Sequence, residues 1–137
     1  MVVWWILGNG TQQAFYEDRD VLFISVHQDS NYPVKRGYVE EDGEGAGKSF
    51  NINIPLPPGS GGGAYSSAFE RVVVPALEAF RPELLLVSSG FDAAFMDPLG
   101  KMMLSSEHFR TIARTLNNSA KALCNGRIVF AHEVRIG

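Results

Sequence analysis

The chain has 137 residues, of which 45% are apolar and 20% charged, with a formal net charge of -3 and a pI near 5.6. That length suits one domain with a packed core, and the composition argues against wholesale disorder. The acidic balance, with Lys35-Arg36 an isolated basic pair, argues against a dedicated nucleic-acid binder, which needs a basic patch to neutralise phosphates. The lone cysteine, Cys124, rules out an intrachain disulfide and fits a reducing, intracellular compartment. It reads as a small buried apolar residue at a helix end. No stretch approaches the roughly 20 apolar residues of a membrane span.

Residues 2–7, Val-Val-Trp-Trp-Ile-Leu, read as a buried strand rich in β-branched and aromatic side chains. Gly8-Asn9-Gly10-Thr11 reads as a turn, with Thr11 as a candidate N-cap of a short helix running to Asp18. A phosphate-binding loop is poorly supported there, because no Lys follows the glycines. Val21 to His27 is a second strand, apolar almost throughout, as strands buried on both faces are.

Residues 28–49 form a long polar loop. Its acidic run, Glu40-Glu41-Asp42, reads as a solvated face without the alternating oxygen ligands of a calcium loop. Phe50 to Leu56 alternates with period two, giving a strand with one polar face. Ala64 to Phe80 has helical spacing, with Tyr65, Phe69, Val72, Val73, Ala76, Leu77 and Phe80 as its apolar stripe and a kink expected near Pro75.

Leu84-Leu85-Leu86-Val87 opens a buried strand that ends in Ser88-Ser89-Gly90-Phe91-Asp92. In an open parallel sheet ligands bind outside the carboxyl ends of the strands, so a carboxylate there faces a site. Asp is also a common turn residue, which is the structural alternative for Asp92. Ser105 is the N-cap of a last helix whose apolar stripe runs Phe109, Ile112, Ala113, Leu116, Ala120 and Leu123. Its capping-box signal is partial, since Glu107 falls one position early. His108, at the helix start, is expected to be solvated. Asn125-Gly126 stops the helix, and Arg127 to Val134 is the final strand. Alternating strands and helices predict an α/β fold, a mostly parallel sheet with helices on both faces. His27, Asp92 and His132-Glu133 then share one rim. A metal site built from His27, Asp92 and His132 is one reading; core or supporting histidines are the other.

Ser88-Ser89-Gly90-Phe91-Asp92-Ala93 followed by Asp97-Pro98-Leu99-Gly100 resembles the histone deacetylase and acetylpolyamine amidohydrolase family. The resemblance runs from about residue 8 to 133. It includes Gly8-Asn9-Gly10-Thr11-Gln12, Ser25-Val26-His27, and the segment from Gly43 to Leu56. It implies a partial arginase/deacetylase-like fold over a single partial domain, residues 1–137. It implies that Asp92 is a ligand of a catalytic zinc and that Ser25 and Val26 serve a monovalent cation such as potassium. Tyr32, Phe91 and Leu99 become substrate-lining residues. The implied substrates are acetyl-lysine in histones or other proteins, or acetylpolyamines.

The departures are specific. Where the family reads Asp-x-Asp-x-His-His before Gly-Asn-Gly-Thr, this chain has Val2, Trp4, Ile6 and Leu7. Where the family has Glu-Gly-Gly-Tyr or Glu-Gly-Gly-His, it has Glu133-Val134-Arg135. Catalytic zinc needs three protein ligands and a water, and the motif match supplies one. The 137 residues alone are therefore expected to bind no zinc tightly and not to catalyse, as a truncated piece of the enzyme. The alternative is a catalytically silent binding or regulatory domain holding a protein partner on an exposed apolar face.

Overall fold

The computed structural model describes residues 2–4, 8–31 and 33–133. The expected strand positions 5–7, Tyr32 and the end of the last strand at Val134 lie outside them. Five strands, β1 (Val2–Trp4), β2 (Phe23–Gln28), β3 (Asn51–Leu56), β4 (Leu85–Gly90) and β5 (Ile128–Glu133), form one sheet in the order β3-β2-β1-β4-β5. Every pairing is parallel. The register sets Trp4 opposite Ser25, Val3 opposite Val87, and Ser89 and Gly90 opposite His132 and Glu133. All carboxyl ends consequently fall on one rim.

One face of the sheet carries the main core. Leu22, Ile24 and Val26 of the β2 segment and Leu85 and Val87 of β4 pack against helices α2 (Gly62–Ala68), α3 (Val74–Phe80) and α4 (Ser106–Cys124). The period-two side chains of the strands meet a stripe at helical spacing, Ile112, Leu116, Ala120 and Cys124 on α4. On the opposite face the short helix α1 (Asn9–Ala14) reaches β3 through Gln12. The sheet is thus α/β with helices on both faces, as the alternation of elements predicts.

Several local expectations change. α1 begins at Asn9, two residues before Thr11, because the carbonyl of Gly8 accepts the first helical N–H, from Gln12 at 2.8 Å. The helix expected at 64–80 is three pieces, α2, a π-helical turn Phe69–Val73, and α3. In that turn the N–H of Val74 bonds the carbonyl of Phe69, five residues back. The widened turn sits directly before Pro75, whose ring nitrogen has no N–H to give to the preceding turn.

The capping box of α4 is completed by His108 rather than an acid. The Ser105 N–H donates to His108 Nδ1 at 3.0 Å, so His108 is half-buried and engaged, not solvated. The C-terminus closes on two left-handed residues. Asn125 and Gly126 take φ of 55° and 74°, and the Gly126 N–H reaches the Ala120 carbonyl at 2.9 Å. Cys124 is buried, and its thiol donates to the Arg127 carbonyl at 3.3 Å.

The apolar run of β4 is buried on one face only. Leu85 and Val87 are in the core, whereas Leu84 and Leu86 are each 41% exposed. Val129, opposite Leu86 in β5, is 52% exposed, because no described helix covers this half of the sheet. The two types of packing separate in a denaturation experiment. Leu116→Ala, at the centre of the core, is expected to cost about 2–5 kcal/mol. His108→Ala, which removes a capping bond and the ring that lies against Gly62, should cost about 1 kcal/mol. Urea melts of both variants check the ordering.

Candidate functional site at the carboxyl rim

The rim is built by the turn that leaves β4. Asp92 is half-buried, two residues beyond the strand. Two glycines fit closely around it. A Cβ on Gly90 would meet the Asp92 carboxylate at 2.6 Å, so that side chain folds back over the strand end. A Cβ on Gly100 would collide with the Asp92 backbone carbonyl and approach Asp97 Oδ1 at 3.2 Å. The Asp97-Pro98-Leu99-Gly100 sequence therefore has a mechanical reading. Asp97 Oδ1 accepts the N–H groups of Leu99 at 2.9 Å and Gly100 at 2.6 Å, turning the chain back against Asp92.

Further backbone bonds fix the loop. Phe95 and Leu104 are tied by Phe95 N–H to Leu104 O and Leu104 N–H to Ala93 O, each 3.0 Å. The Gln28 side chain at the end of β2 accepts the Lys101 N–H at 2.8 Å. Tyr65 of α2 is buried, and its phenol is pushed well above its ordinary range by burial, with the charge of Asp92 adding to the effect. That electrostatic link between α2 and Asp92 is not visible in the sequence, where Tyr65 is one member of an apolar stripe.

Phe91, Phe95, Met96, Leu99 and Met103 are all more than half exposed around Asp92. Phe91 leans on its neighbours. Its ring meets Phe109 edge-on at a centroid distance of 5.5 Å and stacks on His132 at 5.4 Å. Leu99 stands free at 56% exposure. The rim beside Asp92 is thus an apolar surface with a carboxylate set into it.

Ser25 and Val26 are fully buried in β2. The Ser25 hydroxyl lies 2.9 Å from His27 Nδ1, and His27 Nε2 lies 3.1 Å from the Gly37 carbonyl. A carbonyl only accepts, so Nε2 carries the proton and Nδ1 accepts from Ser25, leaving the Ser25 oxygen lone pairs available. Burial lowers the His27 pKa from its ordinary value, so the ring is neutral at pH 7.

The histidines do not assemble a metal site with Asp92. β1 and β4 lie between β2 and β5, which puts His27 about 14 Å from the His132 strand at normal strand spacing. Both His27 nitrogens are engaged, and His132 stacks on Phe91. Among the described residues no group of three or more His, Cys, Asp or Glu side chains is placed to share a metal ion. One carboxylate does not match the three-ligand donor set of a catalytic zinc, so these residues do not fit that metal by themselves. No helix among the described residues is long and apolar enough to cross a membrane.

Comparison with known proteins identifies this architecture. The model of the histone deacetylase domain matches residues 7–133. A histone deacetylase-like amidohydrolase from Pseudomonas aeruginosa is 48% identical over 126 residues, covering 92% of this chain and 33% of that protein. Histone deacetylase 14 (chloroplastic) of Arabidopsis thaliana is 42% identical over 123 residues, covering 90% of this chain and 29% of its own length. Among solved structures, that of the histone deacetylase Clr3 superposes with a TM-score of 0.87 at 37% identity, over 96% of this chain and 23% of that one. The HDA15 HD domain gives 0.88 at 33% identity, over 99% and 38%. The chain belongs to the histone deacetylase family, with the arginase/deacetylase fold those structures share. It spans about a third of the length of these two curated relatives.

The glycine fit around Asp92 is testable. Gly100→Ala forces backbone against backbone and is expected to destabilise by about 1–3 kcal/mol. Gly90→Ala meets only a carboxylate that can swing aside, so it should cost less while moving the Asp92 backbone amide resonance. Urea melts with 15N-resolved spectra of both variants check this.

Proposed function

We propose that this chain acts as part of a deacetylase domain of the size its relatives have, one that hydrolyses the acetyl-amide bond of acetyl-lysine or acetylpolyamines. The observation that carries the reading is Asp92, set at the carboxyl end of β4 inside an apolar rim and backed by Gly90 and Gly100. By the family resemblance Asp92 is one zinc ligand, and Phe91, Leu99 and Tyr32 line the path of the acyl chain. Ser25 and Val26 are the positions for a monovalent cation such as potassium, and the lone pairs left on Ser25 suit that role. In the complete domain zinc would polarise the amide carbonyl and supply an activated water.

This chain's own residues do narrower work. The Asp97 turn holds Leu99 beside Asp92, and the exposed apolar side chains favour an acyl or alkyl group over a charged one. With Trp4 and Ile6 at two ligand positions of the family pattern, the chain alone is proposed not to hold zinc or to turn over substrate. A second reading, a binding or regulatory domain, is supported by β5. Its outer edge has no strand partner among the described residues, and Val129 is exposed beside Leu84 and Leu86. On the first reading a further segment of the deacetylase domain would cover that edge, and on the second a protein partner would.

The double variant Trp4→Asp, Ile6→His tests the ligand alignment. β1 lies beside β4, with Val3 opposite Val87, so position 4 belongs to a strand paired with the one that ends at the Asp92 rim. Zinc affinity measured by competition with a chromogenic chelator should rise at least 10-fold over the parent, and Asp92→Ala in the same background should remove the gain. A folded double variant with unchanged affinity would refute the alignment.

A further inference from the structure

The loop between β2 and β3 is not the solvated excursion its composition suggests. Its three consecutive acids have three different fates. Glu40 is exposed, Asp42 pairs with Lys48 at 2.6 Å, and Glu41 turns inward. The Glu41 carboxylate receives three N–H groups. Gly37 and Tyr38 donate to Oε1 at 2.9 and 3.3 Å, and the Gln12 amide of α1 donates to Oε2 at 2.5 Å.

The backbone carbonyl of Glu41 is taken as well, by the side-chain amides of Asn51 at 2.5 Å and Asn53 at 3.3 Å. The same two amides reach Gln12 Oε1 at 3.2 and 2.8 Å. Gln12, Asn51 and Asn53 are each at least 95% buried, so the polar face of β3 is covered rather than wet. Gly37 is the meeting point. Its N–H goes to Glu41, its carbonyl accepts from His27, and its φ of 80° is one that side chains rarely adopt.

We propose that Glu41 is a positioning residue, a carboxylate latch that fastens the loop carrying Tyr32 to α1, β2 and β3. The role of that loop as a wall of the substrate path rests on the deacetylase reading; the latch itself does not. A loop of this length has more freedom than its own contacts remove, and N–H bonds to a carboxylate are about twice as strong as neutral ones. Loss of the carboxylate strands the Gly37 and Tyr38 N–H groups and the Gln12 amide together. Asn51 and Asn53 still hold the residue 41 carbonyl, Asn53 the Tyr38 carbonyl at 3.3 Å and His27 the Gly37 carbonyl, so release is confined to the Gly37 and Tyr38 N–H groups and the loop before them.

Lys35 and Arg36 are exposed within that part, Lys35 at a φ of 64°, and they supply the probe. Limited trypsin digestion of the intact chain should cut after Lys35 and Arg36 roughly 10-fold or more faster in Glu41→Ala than in the parent. Amide exchange at Gly37 and Tyr38 should accelerate with it, while Ile24 and Val26 in the core keep their protection. Glu41→Gln keeps one acceptor oxygen and should fall between the two. Where Glu41→Ala loosens the whole molecule, Glu41→Gln decides the matter by acceleration confined to Gly37 and Tyr38. Cleavage and exchange within twofold of the parent in a folded Glu41→Ala, or no local acceleration in Glu41→Gln, would overturn the latch. Zinc binding does not enter this readout, so the latch and the deacetylase reading can fail independently.

Discussion

Parallel pairing of every strand is the constraint on which the rest of this molecule depends. Because β1 lies between β2 and β4, and β4 between β1 and β5, all carboxyl ends open onto one rim. The connections must then cross back over the sheet, which is why helices, or the long loop between β2 and β3, separate the strands. The same pairing buries Ile24, Val26, Leu85 and Val87 against α2, α3 and α4. Each such side chain contributes roughly 1.5–3 kcal/mol through apolar burial. Asp92 therefore occupies a half-buried position that this core holds in place, and the loop after it is tied back to β2 through Gln28 and to itself through Asp97.

Much of this was legible in the residues because the relevant signals are local. The apolar runs of β2 and β4, the period-two alternation of β3 and the helical stripe of α4 each follow from side-chain spacing alone. So does Asn125-Gly126 as a helix stop. Pro75 announced a disturbance in the long helical segment, although its form, a π-turn just ahead of the proline, depends on how Phe69 and Val73 reach the core. Elements whose caps use backbone or unusual partners were harder to place. Gly8 starts α1 with a carbonyl, and His108 fills a capping position where the familiar signature wants Glu or Gln.

What the sequence hid was long-range. The bonds joining Gln12 to Glu41, Asn51 and Asn53 span 29 to 41 residues, so no local pattern marks Glu41 as different from Glu40. The separation of His27 from His132 follows from strand order, which spacing does not encode. The exposure of Leu84 and Leu86 has the same origin, since a uniformly apolar run does not say which face a helix covers. The Gly-Phe-Asp and Asp-Pro-Leu-Gly motifs pointed to the right family without revealing that Gly90 and Gly100 act by leaving room for Asp92.

The fold agrees with that of histone deacetylase structures, while among the described residues no group of three or more His, Cys, Asp or Glu side chains is placed to share a metal ion. The most direct test is the zinc content of the purified folded chain after equilibrium dialysis against micromolar zinc, with Asp92→Ala alongside. The account predicts well under one zinc per chain and no difference between the two proteins. One tightly held zinc per chain, lost in Asp92→Ala, would contradict it.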